Sequence, residues 1–436
     1  MWVQAVVLIL MLAARGTAGF SIKRSARGSD VLYKVPLIDG HNDLPYNLRS
    51  HLKNQLANFN FSANLSSDAY WSEVASSFTD LPRLRAGRVG AQFWVAFVGC
   101  SSQFKDAVEQ TLEQIDVIKR LVREYPDDLH YATSAEDIWE AFNSGKIASF
   151  VAVEGGHSLD NRLAMLRLMY ELGARYVTLT HSCNTPWGDA SPADDINSGT
   201  PAEHNGLTDY GKTMVKEMNR LGMMVDLSHV SHNVMIDAIN VSVAPVIFSH
   251  SSAYAICNHH RNVRDDVLEL MPGNGGIVMV NFYSGFVNCK SAAEATLEDV
   301  VAHINHIRTV AGVDHVGIGS DYDGVDKVPA GLEDVSKYPD LFDRLADSRP
   351  GEPTWGTEDL EKLAGLNLIR VLEEVEKVRD QLAAEGVEPY EDLMPRSDLG
   401  NNDGCITDSF SFLKSPQVGI DFGQLTPRRF SHGICD

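Results

Sequence analysis

Eight short apolar runs punctuate this chain, and six of them end on His, Asp or Glu. VPLIDGHND carries His41 and Asp43, IASFVAVEGGH carries Glu154, and YVTLTH ends at His181. MMVDLSH ends at His229, APVIFSH at His250, and HVGIGSDYDG carries Asp321 and Asp323. The other two are VGAQFWVAFV, which runs into Cys100, and GIVMVNFY, which ends at Tyr283. A strand that is apolar throughout is covered on both faces, as in a parallel sheet. Polar residues gathered at the C-terminal tips of eight such strands are how a (β/α)8 barrel assembles a site. The expected fold is therefore α/β, a TIM-like (β/α)8 barrel with a C-terminal extension. An open doubly wound sheet is the alternative, but it places its site at one switch point rather than at six strand ends.

Between the runs lie segments of helical period, at 107–125, 159–172, 207–221 and 296–311, with apolar residues at i, i+3 and i+4. In the third the stripe is Tyr210, Met214, Met218 and Leu221. Strand and helix alternating in this way make βαβ units. Two insertions interrupt them. Residues 51–80 are polar, and residues 189–205 form a loop rich in Pro, Asp and Ser directly after the fourth run. Loops at that end of a barrel set substrate specificity. A long amphipathic helix is predicted at 357–384, and beyond about residue 386 the chain turns polar and irregular. The expected division is a signal peptide at 1–19, the barrel at 20–385 and a tail at 386–436.

The formal charge of −22 argues against nucleic acid or an anionic membrane surface as partner. Residues 1–19 carry an apolar stretch too short to span a bilayer, followed by small residues suited to cleavage, so secretion is expected. In an oxidising compartment the six cysteines, Cys100, Cys183, Cys257, Cys289, Cys405 and Cys435, read first as disulfides. Sequence alone leaves their pairing open. Asn60, Asn64 and Asn240 each open an N-x-S sequon and are candidate glycosylation sites.

His41 and Asp43 are two apart on a strand, so their side chains share a face and can hold one ion between them. Glu154, His229 and His250 add three ligands of the types zinc takes, imidazole nitrogen and carboxylate oxygen. One ion wants four ligands; five including a carboxylate suit two ions, with Glu154 as the bridge. Two zinc ions about 3.5–4 Å apart lower the pKa of a shared water and polarise a carbonyl together, which is hydrolytic chemistry at neutral pH. The chain has no G-x-S-x-G elbow, which disfavours a serine nucleophile, and no G-x-G-x-x-G loop, which disfavours dinucleotide chemistry. His157, three residues past Glu154, is expected behind the ligands, orienting one of them. His232, His259 and His260 read as loop residues, and His303 and His306 as residues of an outer helix.

VPLIDGHNDLP, VEGGHS, LTHSCNTPW, DLSHVS, PVIFSHSSA, RNV and the D-x-D-G of SDYDG together resemble the membrane dipeptidase (renal dipeptidase) family, in order over about residues 35–371. The resemblance implies a binuclear zinc barrel that hydrolyses the peptide bond of free dipeptides through a metal-bridging hydroxide. One zinc would take His41, Asp43 and Glu154, the other Glu154, His229 and His250. His181 would stabilise the tetrahedral oxyanion. Asp321 would hold the free amino terminus or shuttle a proton to the leaving nitrogen. Arg261 would bind the substrate carboxylate through its planar fork, and Tyr283 would assist near the same pocket. The family pattern also pairs Cys100 with Cys183 and Cys257 with Cys289, and implies that Cys405 links the subunits of a homodimer. Cys435 has no counterpart in that pattern. Relatives often carry a glycolipid anchor signal; FGQLTPRRFSHGICD has no apolar tail, so a secreted, unanchored protein is expected. Two other readings compete with the dipeptidase: a different binuclear amidohydrolase, and a secreted binding protein that kept the barrel and lost catalysis. Relatives of the first kind open with H-x-H, where this chain has His41-x-Asp43. A protein of the second kind would usually have lost a site residue.

Overall fold

The computed structural model describes residues 27–405, so the expected signal peptide and Cys435 lie outside the described residues. All eight apolar runs form parallel strands. They are β1 (Leu37–Asn42), β2 (Val89–Phe97), β4 (Ile147–Glu154), β5 (Ala174–Thr178), β6 (Met224–Asp226), β7 (Val246–Phe248), β8 (Ile277–Val280) and β9 (Val316–Ile318). A ninth, β3 (Leu129–Tyr131), pairs with the first residues of β4 where β5 has not yet begun. β2 pairs with β1 on one side and β4 on the other, from Ala91–Ala148 to Phe97–Glu154, and this closes the other eight into a barrel. The expectation of a (β/α)8 barrel is borne out.

Closure follows from residue type. β1, β2 and β4 are buried almost without break, since barrel interior and helix layer cover opposite faces. Inside, Phe93 and Phe150 stack at 4.6 Å and Phe93 meets Tyr176 at 5.4 Å, filling the barrel with side chains. Outside lie helices including Ala107–Glu124, Asp209–Leu221 and Leu297–Ala311. The helical stretch predicted at 357–384 is Thr357–Glu361 and Asn367–Ala384, joined through the π-turn Lys362–Leu366.

The insertion 51–80 builds its own apolar knot. Phe59 meets Phe61 at 5.7 Å and Trp71 at 5.4 Å. The tail beyond the last helix returns along the barrel wall, where Arg167 Nη1 donates to the Tyr390 carbonyl at 3.0 Å and Leu399 is buried. Among the described residues no helix is long and apolar enough to cross a membrane.

Candidate metal centre and substrate pocket

His41, Asp43, Glu154, His229 and His250 converge on one point at the C-terminal mouth of the barrel. His41 Nε2 lies 3.1 Å from Asp43 Oδ2. Glu154 Oε1 lies 3.0 Å from His229 Nε2, 3.4 Å from His250 Nε2 and 3.7 Å from His41 Nε2. His229 and His250 bring their Nε2 atoms within 2.9 Å of each other. The ring tautomers follow from what lies behind them. Tyr176 spends its hydroxyl proton on the Gly40 carbonyl at 2.9 Å, so it accepts from His41 Nδ1, also at 2.9 Å. Ser249 donates to Asp226 Oδ2 at 2.6 Å and accepts from His250 Nδ1 at 2.8 Å. Both imidazoles therefore carry a proton on Nδ1 and turn Nε2 toward the centre, where a metal ion would take the place of any proton.

Electrostatics favour a cation here. Burial alone would depress His41, but the carboxylates of Asp43, Glu154 and Asp321 hold it up at about 10. Burial and the neighbouring cationic groups push His229 and His250 well below the ordinary imidazole range. Burial raises Glu154 well above the usual carboxylate range, against the pull of His41. His41 Nε2 and Asp43 Oδ1 are buried without a hydrogen-bond partner. A buried polar atom without a partner is costly, and a metal ion would satisfy both. Imidazole nitrogens and carboxylate oxygens are the donors zinc takes, so these residues fit the group.

Two further features crowd the same point. His229, Asp321 and Asp323 adopt left-handed φ of 65°, 67° and 68°, uncommon for residues with a side chain and concentrated at functional sites. Gly324 has no room for a Cβ, which would collide with Asp43 Oδ2 and Asp321 Oδ1. Asp323, for its part, faces away from the ligands. It accepts from Thr79 Oγ1 at 2.6 Å, Asn47 Nδ2 at 2.9 Å and Phe78 N at 3.1 Å, and so fastens the 51–80 insertion to the mouth.

A cavity of about 420 Å³ opens above the cluster, lined by Asp43, Glu154, His181, His229, Tyr283 and Asp321 among others. The His181 ring stacks on His229 at 4.3 Å and lies 4.6 Å from Phe97; burial holds it well below the ordinary range, hence neutral. Asp321 accepts from Asn281 Nδ2 at 2.8 Å, and burial pushes it up to about 7 against the opposing charge of His41. Arg261 sits behind Phe286, its guanidinium 5.4 Å from that ring, and its charge acts on Glu154, His181 and Asp321. Burial lowers it to about 10, which leaves it charged at neutral pH. Nη2 donates to the His250 carbonyl at 3.3 Å, while Nε and Nη1 are buried without partners. A buried guanidinium with two unused donors is built to receive an anion. Tyr283 lines the cavity edge-on to Phe286 at 4.7 Å.

Sequence reasoning missed the residues beneath the ligands: Asp39, Asp226, Tyr176 and Ser249. Asp39 accepts from Ser320 Oγ and Tyr338 hydroxyl, each at 2.6 Å, and from His41 N at 3.2 Å. The available signal was an Asp two or three positions before a ligand, in DGH and DLSH. His157 does not orient a ligand by hydrogen bonding: its Nε2 meets the Val98 carbonyl at 2.9 Å, because the chain turns away at Gly155 with φ of 94°. His306 pairs with Asp265 at 2.8 Å and His232 with Asp266 at 3.1 Å, away from the centre. The structure joins Cys100 to Cys183 and Cys257 to Cys289. Cys405 is disulfide-bonded as well. Asn60, Asn64 and Asn240 are all exposed.

A closed parallel barrel with imidazoles and carboxylates meeting at its strand tips defines a metallohydrolase. The family model described as membrane dipeptidase (peptidase family M19) matches residues 25–386. An uncharacterized dipeptidase of Schizosaccharomyces pombe is 48% identical over 378 residues, covering 84% of this chain and 86% of its own. Among solved structures, the metallopeptidase dipeptidase AC of family M19 is 26% identical with a TM-score of 0.67, over 78% of this chain and 98% of its own. A Rhodobacter sphaeroides metallopeptidase liganded with a phosphinate mimic of the dipeptide L-Ala-D-Ala is 25% identical with a TM-score of 0.66, over 78% and 99%. The chain belongs to the membrane dipeptidase family, peptidase family M19, and is a dipeptidase of that metallopeptidase class.

Proposed function

We propose that this dipeptidase works with two zinc ions, one held by His41, Asp43 and Glu154 and the other by Glu154, His229 and His250. Bound there, the ions supply a water activated at neutral pH and electrophilic help to the scissile carbonyl. The chain's own residues do the rest. Arg261 takes the substrate carboxylate on its two free donors, and Asp321 takes the ammonium end. A carboxylate lining the cavity and a buried guanidinium packed against its Phe286 wall would together admit a zwitterion of dipeptide length and reject longer or N-blocked peptides. His181, kept neutral by burial, donates an N–H to the carbonyl oxygen as negative charge builds there. Asp321, raised to about 7, is also poised to pass a proton to the leaving nitrogen. Tyr283 closes the pocket wall beside it. We extend the reading to secretion, with glycans on the exposed Asn60, Asn64 and Asn240.

The observation that carries this reading is Glu154 Oε1, ringed by three imidazole nitrogens at 3.0, 3.4 and 3.7 Å. Hydrolysis of a dipeptide panel, before and after chelation and zinc add-back, tests it. Cleavage of dipeptides restored by zinc, with tripeptides and N-blocked analogues untouched, is the expected result. Zinc-loaded protein that cleaves no dipeptide would overturn it in favour of a binding protein.

A further inference from the structure

We propose that the Cys100–Cys183 disulfide is a positioning device for catalysis, bracing the His181 ring in place against the metal cluster. The inference rests on the reading above that His181 donates to the substrate carbonyl. The bridge joins the loop after β2 to the loop after β5, neighbours of β4 on its two sides, and so crosses over the tip that carries Glu154. Cys183 is two residues beyond His181, and Cys100 Sγ lies 3.9 Å from His181 Nδ1. Phe97, three residues before Cys100, supplies the ring that meets His181 at 4.6 Å. The segment between them is pinned in turn, because the Val98 carbonyl accepts from His157 Nε2 at 2.9 Å. His41 and His250 are oriented by hydrogen bonds to Tyr176 and Ser249. His181 has ring faces and a sulfur around it instead. Those contacts set a plane but leave the ring free to slide, and the covalent tie removes that freedom. A donor aimed at a developing oxyanion acts only at the right position, and a displacement of about 1 Å is enough to cost on the order of 10²-fold in rate.

The second bridge serves as the internal comparison. Cys257–Cys289 joins the loops after β7 and β8 around Arg261, and Asn262 Nδ2 donates to the Cys257 and Phe286 carbonyls, each at 2.8 Å. Its loss bears on the Arg261 end of the pocket, and therefore on substrate affinity.

The experiment is a double-mutant cycle on the full secreted chain. Cys100→Ala/Cys183→Ala, His181→Ala and their combination are assayed for kcat, KM and bound zinc on one dipeptide, beside Cys257→Ala/Cys289→Ala. The expected result is a fall in kcat on the order of 10²-fold for the first pair, with KM and zinc retained. The combined variant should be no slower than His181→Ala alone, whereas the second pair should raise KM. Losses that multiply with His181→Ala, or kcat, KM and zinc falling together, would overturn the proposal. A His181→Ala variant with undiminished kcat would instead overturn the role of His181 itself. If the cysteine variant is not secreted, the folded native enzyme is reduced with a phosphine and alkylated, with the modified cysteines mapped by mass. Unchanged kcat with Cys100 and Cys183 both alkylated would equally sink the idea.

Discussion

The two halves of the barrel mouth are held in different ways. On the ligand side, His41 and Glu154 lie on strands and Asp43 directly after one, while His229 and His250 follow theirs by three and two residues. Behind two of the three histidines hydrogen bonds run down into the barrel: His41 to Tyr176 to the Gly40 carbonyl, and His250 to Ser249 to Asp226. On the substrate side, His181, Arg261 and Tyr283 sit on loops beyond the strands, and the crosslinks there are disulfides. The first half uses much of its hydrogen-bonding capacity internally, leaving bare the atoms that face the centre and, on their far side, His229 Nδ1. The second keeps capacity unused, most clearly at Arg261 Nε and Nη1. A metal site needs ligands fixed before the ion arrives, and a substrate clamp needs groups still able to pair when the substrate does.

The comparison breaks most visibly at the ligand side. Glu154→Gln removes a negative charge shared by three imidazoles and, in the reading above, by both ions. A stabilisation of several kcal/mol, at about 1.4 kcal/mol per factor of ten, sets the expected loss of kcat/KM on the order of 10³-fold or more. Bound zinc should fall with it, read by elemental analysis of the purified variant. Wild-type metal content and rate in that variant would show that Glu154 bridges nothing.

At the substrate side the effect should be smaller and of another kind. In the reading above Arg261 is one end of the clamp, so the expected rise in KM for Arg261→Ala is on the order of 10²-fold with zinc retained. The variant should also lose the wild-type preference for a dipeptide over its C-terminal amide. Because the guanidinium makes a single hydrogen bond, to the His250 carbonyl at 3.3 Å, thermal stability should hold or rise. A variant that discriminated against the amide as before would place the carboxylate elsewhere.

The two halves also differed in how far the sequence disclosed them. Strand-tip ligands stand out because an imidazole or carboxylate closing an apolar run is conspicuous, and the parallel barrel follows from eight such runs. β3 escaped because its three residues, Leu129–Tyr131, are only partly covered and form no apolar run. The supporting carboxylates escaped for a different reason. Asp39 finds Ser320 and Tyr338 at separations of 281 and 299 residues, and nothing local in the chain announces either partner. Residues 390–399 read as a polar tail, yet Tyr390 and Leu399 dock on the barrel wall, through the Tyr390 backbone and one isolated apolar side chain. Arg261 was placed by resemblance to a family motif, since an arginine in a loop carries no periodicity to read.

The finest test of the contrast lies one layer below the ligands. Ser249 touches no ion and no substrate in this arrangement; it accepts from His250 Nδ1 and donates to Asp226. Ser249→Ala leaves the imidazole free to rotate or change tautomer, and such supporting partners typically contribute about 10–100-fold in metal affinity. The variant should bind zinc more weakly by that factor, regain most of its kcat at saturating zinc, and keep its KM for dipeptides. That pattern separates it from Arg261→Ala, which moves KM and spares the metal. It separates it also from Glu154→Gln, which no excess of zinc should rescue. If Ser249→Ala raised KM at saturating zinc, the division between a pre-set ligand side and an adaptable substrate side would fail. The hydroxyl would then have to be counted among the groups that shape the pocket.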